Sequence, residues 1–236
     1  DLALHLGEMV TEGLDGLRER LAEYKGLGAR FAKWRSVINI SEALPSAACV
    51  TANVHGLARY AALCQEADVV PMVEPEMIME GSHTIARCYE VTAEVLKRLF
   101  AEMAEQGVVL EAVILKVSMV LPGKDCPEQA SPEEVAKQTL RCLKENVPAN
   151  LGGVVFLSGG QSDALSTLHL NLMHQTGEGL PWPLSFSYGR AIQSPALKAW
   201  AANRGGVTEA QKLLVHRASM NGLAAQGKYS AELEAV

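Results

Sequence analysis

The sequence predicts an α/β protein built on a parallel sheet, and three observations carry that prediction. Short apolar runs alternate with longer amphipathic segments along the whole chain. Most of the runs are apolar on both faces, as strands covered on either side must be. Polar residues collect at the C-terminal ends of the runs, often two apart, which puts them on one side of a strand. Regular βα alternation leaves two architectures, an open doubly wound sheet or a (β/α)8 barrel.

The elements follow in order. "EGLDGLRERLAEYKGLG" reads as an opening helix that stops at a glycine. The strand candidates are "ARFAKWRSVINI" (29–40), "DVVPMVEPE" (68–76), "LEAVILKVSMV" (110–120), "GGVVFLSGG" (152–160) and "PLSFSYGRA" (183–191). Amphipathic segments at 46–66, 83–106, 132–146 and 162–175 separate them, and a helical pair spans 194–226. "SPEE" is a helix start, with Ser131 as cap, Pro132 in the first turn and Glu134 closing a capping box. No Pro/Gly-rich linker divides the chain, so residues 1–236 are expected to form one domain. No G-x-G-x-x-G follows a strand, which weakens a dinucleotide-binding reading.

Composition narrows the function. A net charge of −6 argues against nucleic acid as a partner, and an anionic ligand would need local positive charge. No apolar run approaches the ~18 residues of a membrane span. The start "DLALHLGEMV" lacks the basic and apolar stretches of a signal peptide. Five scattered cysteines without a C-x-x-C suit free thiols, so a cytoplasmic location is expected. The histidines are dispersed, and His169 and His174 do not share a helical face, so no metal site is expected.

Lys116 interrupts an apolar strand, where an unpaired ammonium is driven towards the neutral amine. It either snorkels to water or serves as a nucleophile. The strand ends point to a shared site. Lys33 with Arg35, Glu74 with Glu76, and Lys116 with Ser118 recur at equivalent places, where parallel barrel strands converge on one site. Phosphate is the expected ligand. Ser158, Gly159 and Gly160 follow one strand and free backbone N–H groups at the next helix start. Ser187, Gly189 and Arg190 follow the next strand, and the arginine adds bidentate capacity. "LSGGQ" is shared with the signature of ABC-transporter ATPases, but their G-x-x-x-x-G-K-[ST] loop is absent from the sequence.

Taken together and in order, "FAKWR", "VPMVEPE", "ILK", "FLSGGQS", "FSYGRAIQSPALKAW" and "MNGLAAQGKY" resemble class I fructose-1,6-bisphosphate aldolase over essentially the whole chain. The resemblance implies a (β/α)8 TIM barrel, of which these residues are the last five βα units. Three preceding strands would carry a catalytic aspartate and a phosphate-binding lysine. It implies metal-free, cofactor-free cleavage of fructose 1,6-bisphosphate to dihydroxyacetone phosphate and glyceraldehyde 3-phosphate, in glycolysis or gluconeogenesis. The partner would be a phosphorylated ketose, and the assembly a homo-oligomer, a tetramer.

By the same resemblance Lys116 forms the Schiff base and Glu74 is the general acid/base. Lys33 is the neighbouring cation, and Glu76 interacts with it. Ser158, Gly159, Gly160, Ser187, Gly189 and Arg190 contact one sugar phosphate, and Arg35 lies near the other. Trp34 and Tyr188 are expected to pack, and Lys124 and Lys198 to be solvated. The family's usual Pro-Asn after the lysine is Val117-Ser118 here, and its tail tyrosine has no counterpart in "SAELEAV". Two other readings stay open: a lysine-dependent aldolase for another phosphosugar, or a truncated, non-catalytic homologue serving as a binding or assembly subunit.

Overall fold

The computed structural model describes residues 1–235. The first helix, α1 (Leu17–Gly26), is followed by β1 (Phe31–Ile38), α2 (Ala47–Glu66), β2 (Val70–Met77) and α3 (Ile85–Glu105). Then come β3 (Ile114–Val117), α4 (Pro132–Asn146), β4 (Gly153–Phe156), α5 (Asp163–Thr176) and β5 (Leu184–Phe186). Two helices, α6 (Arg190–Ala202) and α7 (Val207–Ala224), complete the succession. All strand pairs are parallel, in the order β1-β2-β3-β4-β5. This is a run of consecutive βα units as in a TIM barrel, with β1 and β5 as its outer strands. No helix among the described residues is long and apolar enough to cross a membrane.

Helices α2, α3, α4 and α5 start where short polar side chains can accept the free N–H groups of the first turn. Ser46, Thr84, Ser131 and Ser162 accept from Cys49, Arg87, Glu134 and Leu165 respectively. Only half of the expected capping box forms at α4. Ser131 accepts from Glu134 N, but the Glu134 carboxylate turns forward to Gln138 and Lys137. The core lies between the sheet and its helical layer, where Ile38, Leu57, Leu99, Leu115, Leu143 and Phe156 are fully buried. Burying such a side chain contributes roughly 1.5–3 kcal/mol, so this layer fixes the strands that carry the polar ends. The cysteines are free and buried.

Three expectations need correction. "LEA" (Leu110–Ala112) is a 3-10 turn, so β3 has only four residues. Two of its neighbours are registered on β2, Met72 against Ile114 and Val73 against Leu115. Beyond them Ser118 continues the connection by its side chain, accepting from Met77 N at 3.0 Å and donating to Met77 O at 3.1 Å. Next, β1 is buried on one face only: Trp34, Ser36 and Ile38 are covered, while Phe31, Lys33 and Arg35 are exposed. Its alternation follows from charged residues on the face away from α2, where Trp34 packs on Tyr60 with ring centroids 5.4 Å apart. Finally, α6 begins at Arg190, four residues earlier than its periodicity indicates, so the helix starts within the glycine turn itself.

Candidate active site

The polar residues at the strand ends meet, and strand parity is the reason. Lys33 and Arg35 stand on the open face of β1, and Glu74 and Glu76 on the corresponding face of β2. Glu74 is 4% exposed and bridges two cations. Its Oε2 lies 2.7 Å from Lys33 Nζ, and its Oε1 lies 3.2 Å from Lys116 Nζ on β3. Lys116 is itself buried, at 9% exposure, so its charge has a carboxylate partner in place of water. Glu76 pairs with Arg35, not with Lys33 as expected. That hydrogen bond, reinforced by the charges of Glu76 and Glu74, raises the Arg35 guanidinium above its ordinary value.

The glycine loops lie at the next strand ends. Register brings Phe156 beside Phe186, and Ser187 N donates to Phe156 O at 2.9 Å. The segment Ser158–Gln161 and the turn Ser187–Arg190 are therefore neighbours on one rim. Gly159 and Gly160 have φ values of 60° and 88°, a left-handed pair that L side chains resist. Among the described residues the N–H groups of Ser158, Gly159 and Gly160 find no acceptor. Successive free amides of this kind form an anion-binding concavity. Ser158 is buried, while Gly189 and Arg190 are exposed at the mouth.

Helix α5 holds both loops from behind. Tyr188, buried as expected, donates from its hydroxyl to Ser166 O at 2.9 Å. His169 is 2% exposed and its Nδ1 lies 2.6 Å from Gln161 Oε1. Burial lowers the His169 imidazole to about 4. The neutral ring therefore donates from Nδ1 to the Gln161 amide oxygen. The sequence reading missed this pair, although a histidine on a largely apolar helix just after the glycine loop was the available signal.

Lys124 is exposed, as expected, but it also has a partner. Its ammonium is 2.9 Å from Glu80 Oε1, and a β-carbon placed on Gly160 would lie 3.2 Å from the same nitrogen. The side chain is therefore both solvated and part of the glycine-loop rim.

A parallel βα-unit sheet with a buried carboxylate between two lysines, and an anion cradle on the adjacent rim, defines a barrel-type site gathered at the C-terminal strand ends. A family model described as "Fructose-bisphosphate aldolase class-I" matches residues 1–236. Among similar proteins, the "probable fructose-bisphosphate aldolase class 1" of Xanthomonas axonopodis pv. citri is 65% identical over 224 residues, covering 94% of this chain and 67% of the relative. "Fructose-bisphosphate aldolase C" of Rattus norvegicus is 48% identical over 223 residues, covering 94% of this chain and 61% of the relative. A solved fructose-bisphosphate aldolase from Plasmodium falciparum superposes with a TM-score of 0.95 at 43% identity, covering 98% of this chain and 67% of that one. The chain belongs to the class I fructose-bisphosphate aldolase family of lyases, and it spans about two thirds of the length of these relatives.

Proposed function

We propose that this chain carries the reacting groups of a Schiff-base aldolase that cleaves fructose 1,6-bisphosphate reversibly. The observation that supports this reading best is the Lys33–Glu74–Lys116 cluster, one carboxylate within ion-pair distance of two lysines. Lys116 Nζ attacks the C2 ketone as the free amine, and the proton it gives up has an acceptor 3.2 Å away in Glu74 Oε1. Glu74 returns that proton to the C2 oxygen, takes one from the attacking nitrogen and passes it to the departing hydroxyl, so water leaves and a protonated imine remains beside an ionised Glu74. Glu74 then takes the proton of the C4 hydroxyl, the C3–C4 bond breaks, and its electron pair passes to the imine nitrogen as an enamine. Glyceraldehyde 3-phosphate leaves. Protonation at C3 and hydrolysis of the imine release dihydroxyacetone phosphate and regenerate the amine.

Lys33 holds the other oxygen of Glu74, and Arg35 occupies Glu76 beside it. Two pairs on neighbouring strands thus keep the acid from turning away from Lys116. Ser158, Gly159, Gly160, Ser187, Gly189 and Arg190 bind one phosphate of the substrate through amides and a guanidinium. A cytoplasmic homotetramer, with these residues as the last five units of the barrel, belongs to the same proposal. Borohydride reduction in the presence of dihydroxyacetone phosphate, read by peptide mass, tests it. The adduct is expected on Lys116 and to vanish in Lys116→Met. An adduct on Lys33 or Lys124 would overturn the assignment.

A further inference from the structure

The loop after β3 is pinned to the loop after β2 by backbone. Gly123 N donates to His83 O at 2.8 Å, Lys124 N to Met79 O at 2.8 Å, and Asp125 N to Gly81 O at 2.9 Å. The approach is so close that a β-carbon on Gly123 would fall 2.1 Å from Gly81 O. These contacts fix where the Lys124 side chain starts. It ends over Gly160, where an Arg190 guanidinium nitrogen also lies 3.6 Å from the position of an added β-carbon. Two cations therefore stand over one glycine of the amide concavity. Glu80 takes the Lys124 ammonium at 2.9 Å, and the carboxyl group is lowered below its ordinary range chiefly by that hydrogen bond, with Arg190 adding to the effect.

We propose, resting on the reading of the glycine loop as a phosphate site, that Lys124 is a further phosphate ligand and that Glu80 holds its ammonium until an anion takes it over. The energetics favour the exchange. The Lys124–Glu80 pair is open to water, with side chains 42% and 64% exposed, and such exposed pairs are weak. A phosphate dianion seated on free amides beside Arg190 attracts the ammonium with more charge and from a drier position. The swap needs only a side-chain rotation, because the backbone of residue 124 is already fixed.

The test is calorimetric titration of the protein with inorganic phosphate at fixed ionic strength, which requires no turnover. Lys124→Met should weaken binding about three- to fivefold, and Lys124→Arg should retain it. Glu80→Gln should strengthen binding about twofold in the parent and leave it unchanged in the Lys124→Met background. Arg190→Ala serves as the control for the loop itself. If Arg190→Ala weakens phosphate and Lys124→Met does not, Lys124 is no ligand and the loop reading survives. If neither changes binding, the loop reading falls and the role of Lys124 with it. Equal strengthening by Glu80→Gln in both backgrounds would mean that Glu80 merely repels the anion, and would overturn its holding role.

Discussion

His169→Asn should flatten the dependence of folding stability on pH, and the size of the effect follows from the buried ring. The imidazole is 2% exposed, with Gln161 Oε1 on Nδ1, and burial outweighs the opposing charge of Glu133 to lower it to about 4 from an ordinary 6.5. Between these values the unfolded chain binds a proton that the folded chain refuses. Stability is therefore full above pH 6.5, falls as the pH drops, and stops falling near pH 4. From pH 7 to pH 5 the loss from this one group is about 2 kcal/mol, reaching about 3 kcal/mol below pH 4. Urea unfolding at pH 7 and pH 5 measures it in the parent and the variant. His83 and His174 are also lowered by burial, so the parent should lose more than the His169 share alone. The difference between the two proteins isolates His169. Where the shorter asparagine leaves Gln161 Oε1 unpaired, the cost is about 1–3 kcal/mol, and that offset is common to both pH values. If the unfolding midpoints of parent and variant shift in parallel between pH 7 and 5, His169 is not held neutral in the fold and the account of the loop's support is wrong.

Lys33→Met should slow borohydride trapping by dihydroxyacetone phosphate without moving the adduct from Lys116, because it strips one cation from Glu74 and leaves the other in place. Time courses of adduct mass would show this, and an unchanged rate would make Lys33 a bystander. Gly123→Ala should cost about 2–4 kcal/mol in urea unfolding, since backbone stands 2.1 Å from the new β-carbon and the three hydrogen bonds between the loops must stretch. A loss below 1 kcal/mol, roughly one such bond, would show that the two loops separate freely.

Element type was legible because each run keeps one period, and the loops after β4 and β5 were legible because glycine there has few uses other than tight turns and close approach. What escaped is long-range. Lys124 sits in a Pro-Gly-Lys turn that reads as solvent, and Glu80 is 44 residues away, with no spacing to join them. Gln161 and His169 lie eight apart, across a helix start, so neither a helical nor a strand period pairs them. Likewise, half of the capping box at α4 failed because Glu134 has nearer partners along its own helix in Gln138 and Lys137.

The partner choice between β1 and β2 shows why composition at strand ends cannot replace register. Both strands offer two charges two apart, so the sequence permits Lys33 to serve either glutamate. Register places Lys33 opposite Met72 and Arg35 opposite Glu74. Each cation nevertheless pairs with the acid two residues further along, Lys33 with Glu74 and Arg35 with Glu76, as long side chains leaning along the strand can do. The diagonal has a consequence for the site. Had Arg35 taken the acid directly opposite, its bidentate fork would have claimed Glu74 and competed with Lys116. With the arginine committed to Glu76, Glu74 is left between two single-point ammonium groups, either of which can exchange a proton or yield its place. For the acid/base role proposed for Glu74, in which it gives up one partner to a substrate hydroxyl, lysines serve better than a guanidinium.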